Sequence, residues 1–218
     1  MDICFIIKNR TIMQKLALLI ALIISGIITA QSNYEKGMNK AFELWGTNPV
    51  EASNLFERIA AAEKDNWLPP YYAAQVLIIQ GFEIKDKDKL DSQLKKAQGL
   101  INDATAISKD NPEIIILQAL LHTVWVAYDG ATYGMTLAPK VAALYEQAAK
   151  IDPNNPRVIL NKAEWNMGSA QFFGQDTAPF CKDIERALEL FANFKPETHF
   201  HPCWGKERAE QVLASCKE

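Results

Sequence analysis

Apolar residues recur along this chain in a spacing that returns about every 44 residues. Ala52, Phe56 and Ile59 come back as Ala97, Ile101 and Ala104. They return as Val141, Tyr145 and Ala148, and then as Ile184, Leu188 and Phe191, with offsets of 45, 44 and 43 residues. Within each set the intervals of four and three place three side chains on one face of a helix. No run alternates apolar and polar residues for long enough to suggest a strand. A repeat of this length, built from helical faces too small to form a core alone, predicts stacked helical pairs.

Asn-Pro and Asp-Pro steps divide the helices. Asn48-Pro49 with Glu51 supplies a capping Asn, a proline at the first helical position and an acid three residues after the cap. Asn111-Pro112 and Asn155-Pro156 repeat the arrangement, and Asp152-Pro153 stops the helix before the last of these. The pattern predicts hairpins over 32–45 with 49–63, 69–83 with 87–108, 112–128 with 137–150, and 156–168 with 179–193. A closing helix is expected over 204–215.

The pattern is different before residue 31. Lys15 precedes 13 apolar or small residues, Leu16 to Ile28, and Thr29-Ala30 offers a small-residue cleavage point. This reads as an export signal, 13–30. Residues 1–12 carry their own apolar run, Cys4-Phe5-Ile6-Ile7, and are expected to be an over-extended start, with Met13 the initiator. Residues 31–218 then form a single helical-repeat domain in the periplasm or outside a Gram-negative cell. No later stretch is apolar for long enough to span a membrane.

Several residues match the signature of a known superfamily. The second helix of a tetratricopeptide repeat (TPR) carries Ala, an aromatic four later, Ala three later and Pro five later. Val141, Tyr145, Ala148 and Pro153 match three of these positions, and Ile184, Leu188, Phe191 and Pro196 keep the spacing. Ala52, Phe56 and Ile59, like Ala97, Ile101 and Ala104, match two. Asn161 with Glu164 and Met167-Gly168 faintly echo the first-helix signature. The chain therefore resembles the TPR superfamily over 32–196, with a period about ten residues longer than the family's usual 34. It looks most like small exported bacterial repeat proteins. The resemblance implies an all-α, TPR-like α-solenoid of about four antiparallel helical hairpins plus a C-terminal capping helix. It also implies a concave face that holds a peptide or partner protein.

Charge narrows the function classes. Removing 1–30 takes away Lys8, Arg10, Lys15 and Asp2, leaving 20 basic and 25 acidic residues and a net charge of about −5. There is no basic block, so nucleic-acid binding is not supported. Known nucleophile, zinc-protease and phosphate-loop motifs do not occur. No cofactor is implied.

Candidate chemistry falls in a few places. Inward positions of the first helices are Tyr34, Met38, Tyr72, Gln75, Gln118, His122, Trp125, Asn161, Trp165 and Phe172, the expected groove for a peptide. His122 lies in an apolar helix and reads as a satisfied inner-face histidine. Residues 128–135 and 171–179 are expected as two rim loops on one edge of the solenoid. Phe172 and Phe173 are expected to fold back over the core rather than grip a ligand. His199, His201 and Cys203 form the densest metal-like cluster but lack a local fourth ligand. They read as a packed turn in which Trp204 anchors the closing helix.

Three cysteines follow the signal. Cys203 and Cys216 bracket the last helix, whose ends stand almost 20 Å apart at about 1.5 Å per residue, too far for a bond. Cys181 with Cys216 fits if the last two helices run antiparallel, and would clamp a terminal cap with neighbours on one side only. Cys203 is then expected free and buried.

The sequence thus predicts an exported scaffold that binds a protein segment in a concave groove, without catalysis. The alternatives are an enzyme or accessory subunit using the rim loops or the His199–Cys203 turn, and a structural part of an envelope complex. The last would expose an apolar edge too large for a monomer.

Overall fold

The computed structural model describes residues 33–216; the expected signal segment and the over-extended start lie outside them. The described residues form nine helices and no strand. They are α1 (33–45), α2 (Pro49–Ala62), α3 (Leu68–Gly81), α4 (Lys87–Ile107), α5 (Pro112–Tyr128), α6 (Gly130–Ile151), α7 (Pro156–Phe172), α8 (Ala178–Asn193) and α9 (Lys206–Ser215). None of them is long and apolar enough to cross a membrane.

Consecutive helices pair as antiparallel hairpins. α3 packs on α5, and α5 on α7, whereas α4, α6 and α8 each cover their own hairpin partner. The first helices of the hairpins therefore make a continuous inner layer and the second helices an outer one. The caps act as their sequence suggests. Asn48 Oδ1 accepts from the Glu51 amide, Asn111 Oδ1 from Glu113, and Asn155 Oδ1 from both Arg157 and Val158. Each satisfies backbone donors that a helix start leaves without partners.

The repeating apolar triads are the seams between layers. Ala52, Phe56, Ala97, Ile101, Ala104, Val141, Tyr145, Ala148 and Ile184 are all buried. The small residues let helices approach, and the large ones fill the space opened beside them. The ten extra residues per repeat go into helix length. α4 and α6 have 21 and 22 residues, and the connections between helices stay short.

Two expected boundaries are corrected. Residues 128–135 are not a loop: α5 ends at Tyr128 and α6 begins at Gly130, with Asp129 serving as the cap of both. The Asp129 carboxylate accepts from the Thr132 amide and hydroxyl at 3.0 and 2.6 Å. Those bonds hold its pKa below the ordinary carboxylate value. This cap starts α6 at Gly130, ahead of the expected 137, and carries it through Gly134. Likewise α7 continues past Gly168 to Phe172, so the connection to α8 shrinks to residues 173–177. It turns at Gly174, whose φ of +64° is open to glycine at little strain.

The capping helix α9 is tied to α8 by a disulfide between Cys181 and Cys216, with Cα atoms 6.1 Å apart. Arg208 on α9 adds a bond to Glu164 on α7 at 2.7 Å. Cys203 carries a free thiol, but it is exposed rather than buried. The chain has to cross from α8 to α9, and it does so by a long route.

Candidate functional site

Residues 194–205, between α8 and α9, run back along the inner layer at the N-terminal ends of its helices. Phe194 lies over the Arg157 guanidinium on α7, 4.3 Å from the ring centroid. His201 packs between Trp67 at the start of α3 and Phe194, with centroids 5.8 and 6.2 Å away. Phe200 is buried against Tyr34 and Phe42 of α1, at 5.5 and 6.0 Å. Its carbonyl accepts from the Tyr72 hydroxyl at 2.8 Å, and Trp204 Nε1 donates to the Tyr71 hydroxyl at 2.9 Å. Burial raises the pKa of both tyrosines far above the usual phenol value, so both stay neutral, Tyr72 donating and Tyr71 accepting. The segment closes with Gly205 at φ +109°, where an added Cβ would stand 2.9 Å from the Phe191 ring.

Beneath this strap lies a buried charge cluster. Glu113 opens α5 and Arg157 opens α7, and neither side chain reaches solvent. Arg157 Nε donates to both Glu113 oxygens at 2.9 and 2.8 Å, and Nη2 to one at 2.7 Å. Asn155 Nδ2 adds a further bond at 2.7 Å. A buried pair of this kind is tolerable only when geometry and extra hydrogen bonds offset its desolvation. Here it locks the starts of two inner helices together. Sequence reasoning missed it, although a signal existed. Asn-Pro-Glu and Asn-Pro-Arg occupy the same place in adjacent repeats, and the two opposite charges are 44 residues apart.

The opposite edge, at the C-terminal ends of the inner helices, has no strap. Phe172 and Phe173 end α7 with 77% and 71% of their surface in water, and Met135 near the start of α6 with 91%. The two phenylalanines touch only edge to face, 5.1 Å apart. They do not fold back over the core as expected, because α7 runs on as helix and carries them past the last covering side chain. On the neighbouring repeat, Trp125 stands 6.2 Å from Tyr128 and 4.9 Å from Tyr133. Ile79 and Phe82, at the end of α3, are exposed on this side too, while Ile107 and Ile151, at the opposite side, are single residues less exposed than Phe172 or Phe173. Scattered exposed apolar residues are ordinary; a run of them along one edge marks a contact surface.

The residues expected to converge in a groove are distributed differently. Met38, Tyr72, Gln75 and Asn161 are buried and belong to the interior. Tyr34 is half-buried against Phe200 under the strap. Tyr72 packs among Phe42, Trp45 and Phe56, and Asn161 donates to the Arg157 carbonyl within α7. Gln118 turns toward α4, pairing with Gln98 at 2.7 and 2.9 Å and reaching His122 Nε2 at 3.2 Å. Burial, with Lys140 nearby, lowers the His122 pKa. Trp165 packs half-buried on the core between α5, α6 and α7. Of the expected set, only Trp125 and Phe172 lie on the open edge. His199 and Cys203 are exposed while His201 is held in its ring stack, and no three metal-ligating side chains come together among the described residues.

No protein-family model matches the chain, and no curated protein matches it. Among solved structures it is similar to the HusA haemophore from Porphyromonas gingivalis. That match has a TM-score of 0.74 at 23% identity, covering 84% of this chain and 92% of that one. A thermophilic TPR protein from Thermus thermophilus is a more distant match, with a TM-score of 0.41 at 12% identity, covering 84% of this chain and 98% of that one. The described residues are an all-α repeat of helical hairpins closed by a capping helix, a fold shared with that haemophore.

Proposed function

We propose that this chain is an exported binding scaffold, without a reaction of its own, that holds an apolar ligand on the aromatic edge formed by α5, α6 and α7. The observation that carries this reading is the exposure of Phe172 and Phe173 at the end of α7 and of Met135 near the start of α6. Large side chains held at water on rigid helix ends form a preorganised surface that gains burial only when something covers it. The Cys181–Cys216 disulfide supports an oxidising, extracytoplasmic location.

A flat, largely apolar molecule of the porphyrin type fits this edge best, since planar rings stack on exposed aromatic faces. The fold shared with a haemophore makes haem the first ligand to try. Titration with haemin and with metal-free protoporphyrin, followed by the Soret band and tryptophan quenching, tests the reading. Saturable binding that weakens at least about tenfold in Phe172→Ala/Phe173→Ala supports it, each tenfold being about 1.4 kcal/mol. No binding of either porphyrin overturns this choice of ligand.

A second reading keeps a protein segment as the ligand, on the same edge rather than in the inner groove. Apolar side chains of such a segment would cover the exposed Phe172, Phe173 and Met135 in the same way. Binding of an aromatic-rich peptide without porphyrin binding would select it.

A further inference from the structure

A cleft of about 480 Å³ opens at the N-terminal ends of α5 and α7, on the strap side of the molecule. Equivalent turns of two successive repeats form two of its walls: Ser108 to Pro112 before α5, and Asp152 with Asn155 before α7. The strap is the third wall, fixed in place by buried Phe200, Pro202 and Gly205. It contributes His201, and the Trp67 ring stands 5.8 Å from that imidazole. Glu113 belongs to the lining although almost none of its surface reaches water. The volume falls within the range of small-molecule sites, about 300–1,000 Å³.

Hydrogen-bond accounting decides which charge the cleft accepts. A helix start attracts anions through free N–H groups, but these two starts have none to offer. Pro112 and Pro156 lack an N–H. The Glu113 amide donates to Asn111 Oδ1, and those of Arg157 and Val158 donate to Asn155 Oδ1. The amides of Ile114, Ile115 and Ile159 donate to the carbonyls of the same two asparagines. The asparagine Nδ2 groups are engaged as well, with Ser108 Oγ and Glu113 Oε1. Acceptors, by contrast, remain. Glu113 Oε2 receives only the Arg157 Nε–H, and a carboxylate oxygen can take a second donor. Asp110, Asp152 and Glu197 also line the cleft, and none is paired with a Lys or Arg among the described residues. Lys109 and Lys195 share the rim, but both are exposed on long stems that can turn to water. Burial holds the His201 pKa below the ordinary imidazole value, so this ring adds no opposing charge at neutral pH. We propose that the cleft is a second binding site, for a small organic ammonium ion whose charge lies against the Trp67 indole and whose polar hydrogens meet the rim carboxylates.

The test titrates the protein with choline and with spermidine, and separately with inorganic phosphate, by calorimetry and by NMR of the Trp67 indole N–H and the His201 ring. Saturable binding of at least one ammonium, with a Kd below about 1 mM and both signals moving, is the expected result. Asp110→Asn/Glu197→Gln removes two exposed rim charges. Asn suits the left-handed backbone at position 110, where φ is +54°, so the variant is expected to melt with the unmodified protein. It is expected to weaken ammonium binding at least about threefold, the scale of two partly screened charges. Binding that ignores the double variant places the ammonium elsewhere and overturns the proposal. So does the absence of binding by either ammonium, or phosphate moving the two signals at lower concentration than they do. The cleft and the aromatic edge lie at opposite ends of the inner helices, so each of these outcomes stands whether or not a porphyrin binds.

Discussion

The two ends of the inner helices are built on opposite principles. At their N-terminal ends, charge and aromatic groups are covered: Glu113 and Arg157 are paired in the interior, and the strap lays Phe194, Phe200 and Trp204 over them. At their C-terminal ends, aromatic groups are left open, with Phe172 and Phe173 in water. The same four helices supply both ends, so helix sequence alone does not set the difference. What differs is whether a later part of the chain returns to cover the layer. The closed end holds the first and last repeats together, and the open end has apolar surface free for a ligand.

Breaking the closed end should have the largest effects. Glu113→Ala leaves a fully buried guanidinium without its partner and should lower unfolding free energy by about 3–5 kcal/mol in urea melts. Replacing both partners with apolar residues of similar volume should recover most of that loss. Recovery would identify desolvated charge, rather than helix contact, as the source. Phe200→Ala should destabilise by about 3 kcal/mol, at the lower end for a buried phenylalanine, because a strap can relax where a helix cannot. Reducing the Cys181–Cys216 bond should remove about 2–4 kcal/mol and loosen α9 first. Protection of α9 amides before and after reduction checks this.

Acid should act on both sides of the comparison, more gently. Burial lowers the pKa of His122 and of His201 below the ordinary imidazole value of about 6.5. The folded protein therefore resists protons that the unfolded chain accepts. Stability from these groups is complete above about 6.5 and is lost as pH falls through the lowered values. Urea midpoints at pH 8 and pH 5 should differ in that direction, and His201→Gln should flatten the difference. The smallest stability effect belongs to the open edge. Phe172→Ala/Phe173→Ala should change unfolding free energy by no more than about 0.5 kcal/mol while weakening ligand binding. A large loss of stability there would mean that the two rings support the core, contrary to their exposure.

Much of the fold was legible in the residues, and the reason is local. The Asn-Pro caps act within one turn, and the apolar triads act at helical spacing, so both could be read directly. Helix length excluded Cys203–Cys216, and the antiparallel packing of the last two helices then selects Cys181–Cys216. The errors came where a local signal met a stronger neighbour. Residues 128–135 read as a loop, but the Asp129 carboxylate caps a helix that runs through Gly130 and Gly134. Gly168 read as an end, yet α7 runs on and carries Phe172 and Phe173 into water.

By itself the sequence determined that the chain is a helical repeat, where most helices start and which faces seal the layers. Each of these depends on spacings of a few residues or on one repeat period. Only the tertiary structure decided that Glu113 meets Arg157, that Phe200 returns to α1 and α3, and that the predicted groove is partly filled while the aromatic edge stays open. Those outcomes depend on contacts between residues far apart in the chain. Their free energy comes from what is buried together, and no local pattern records which distant partner will arrive.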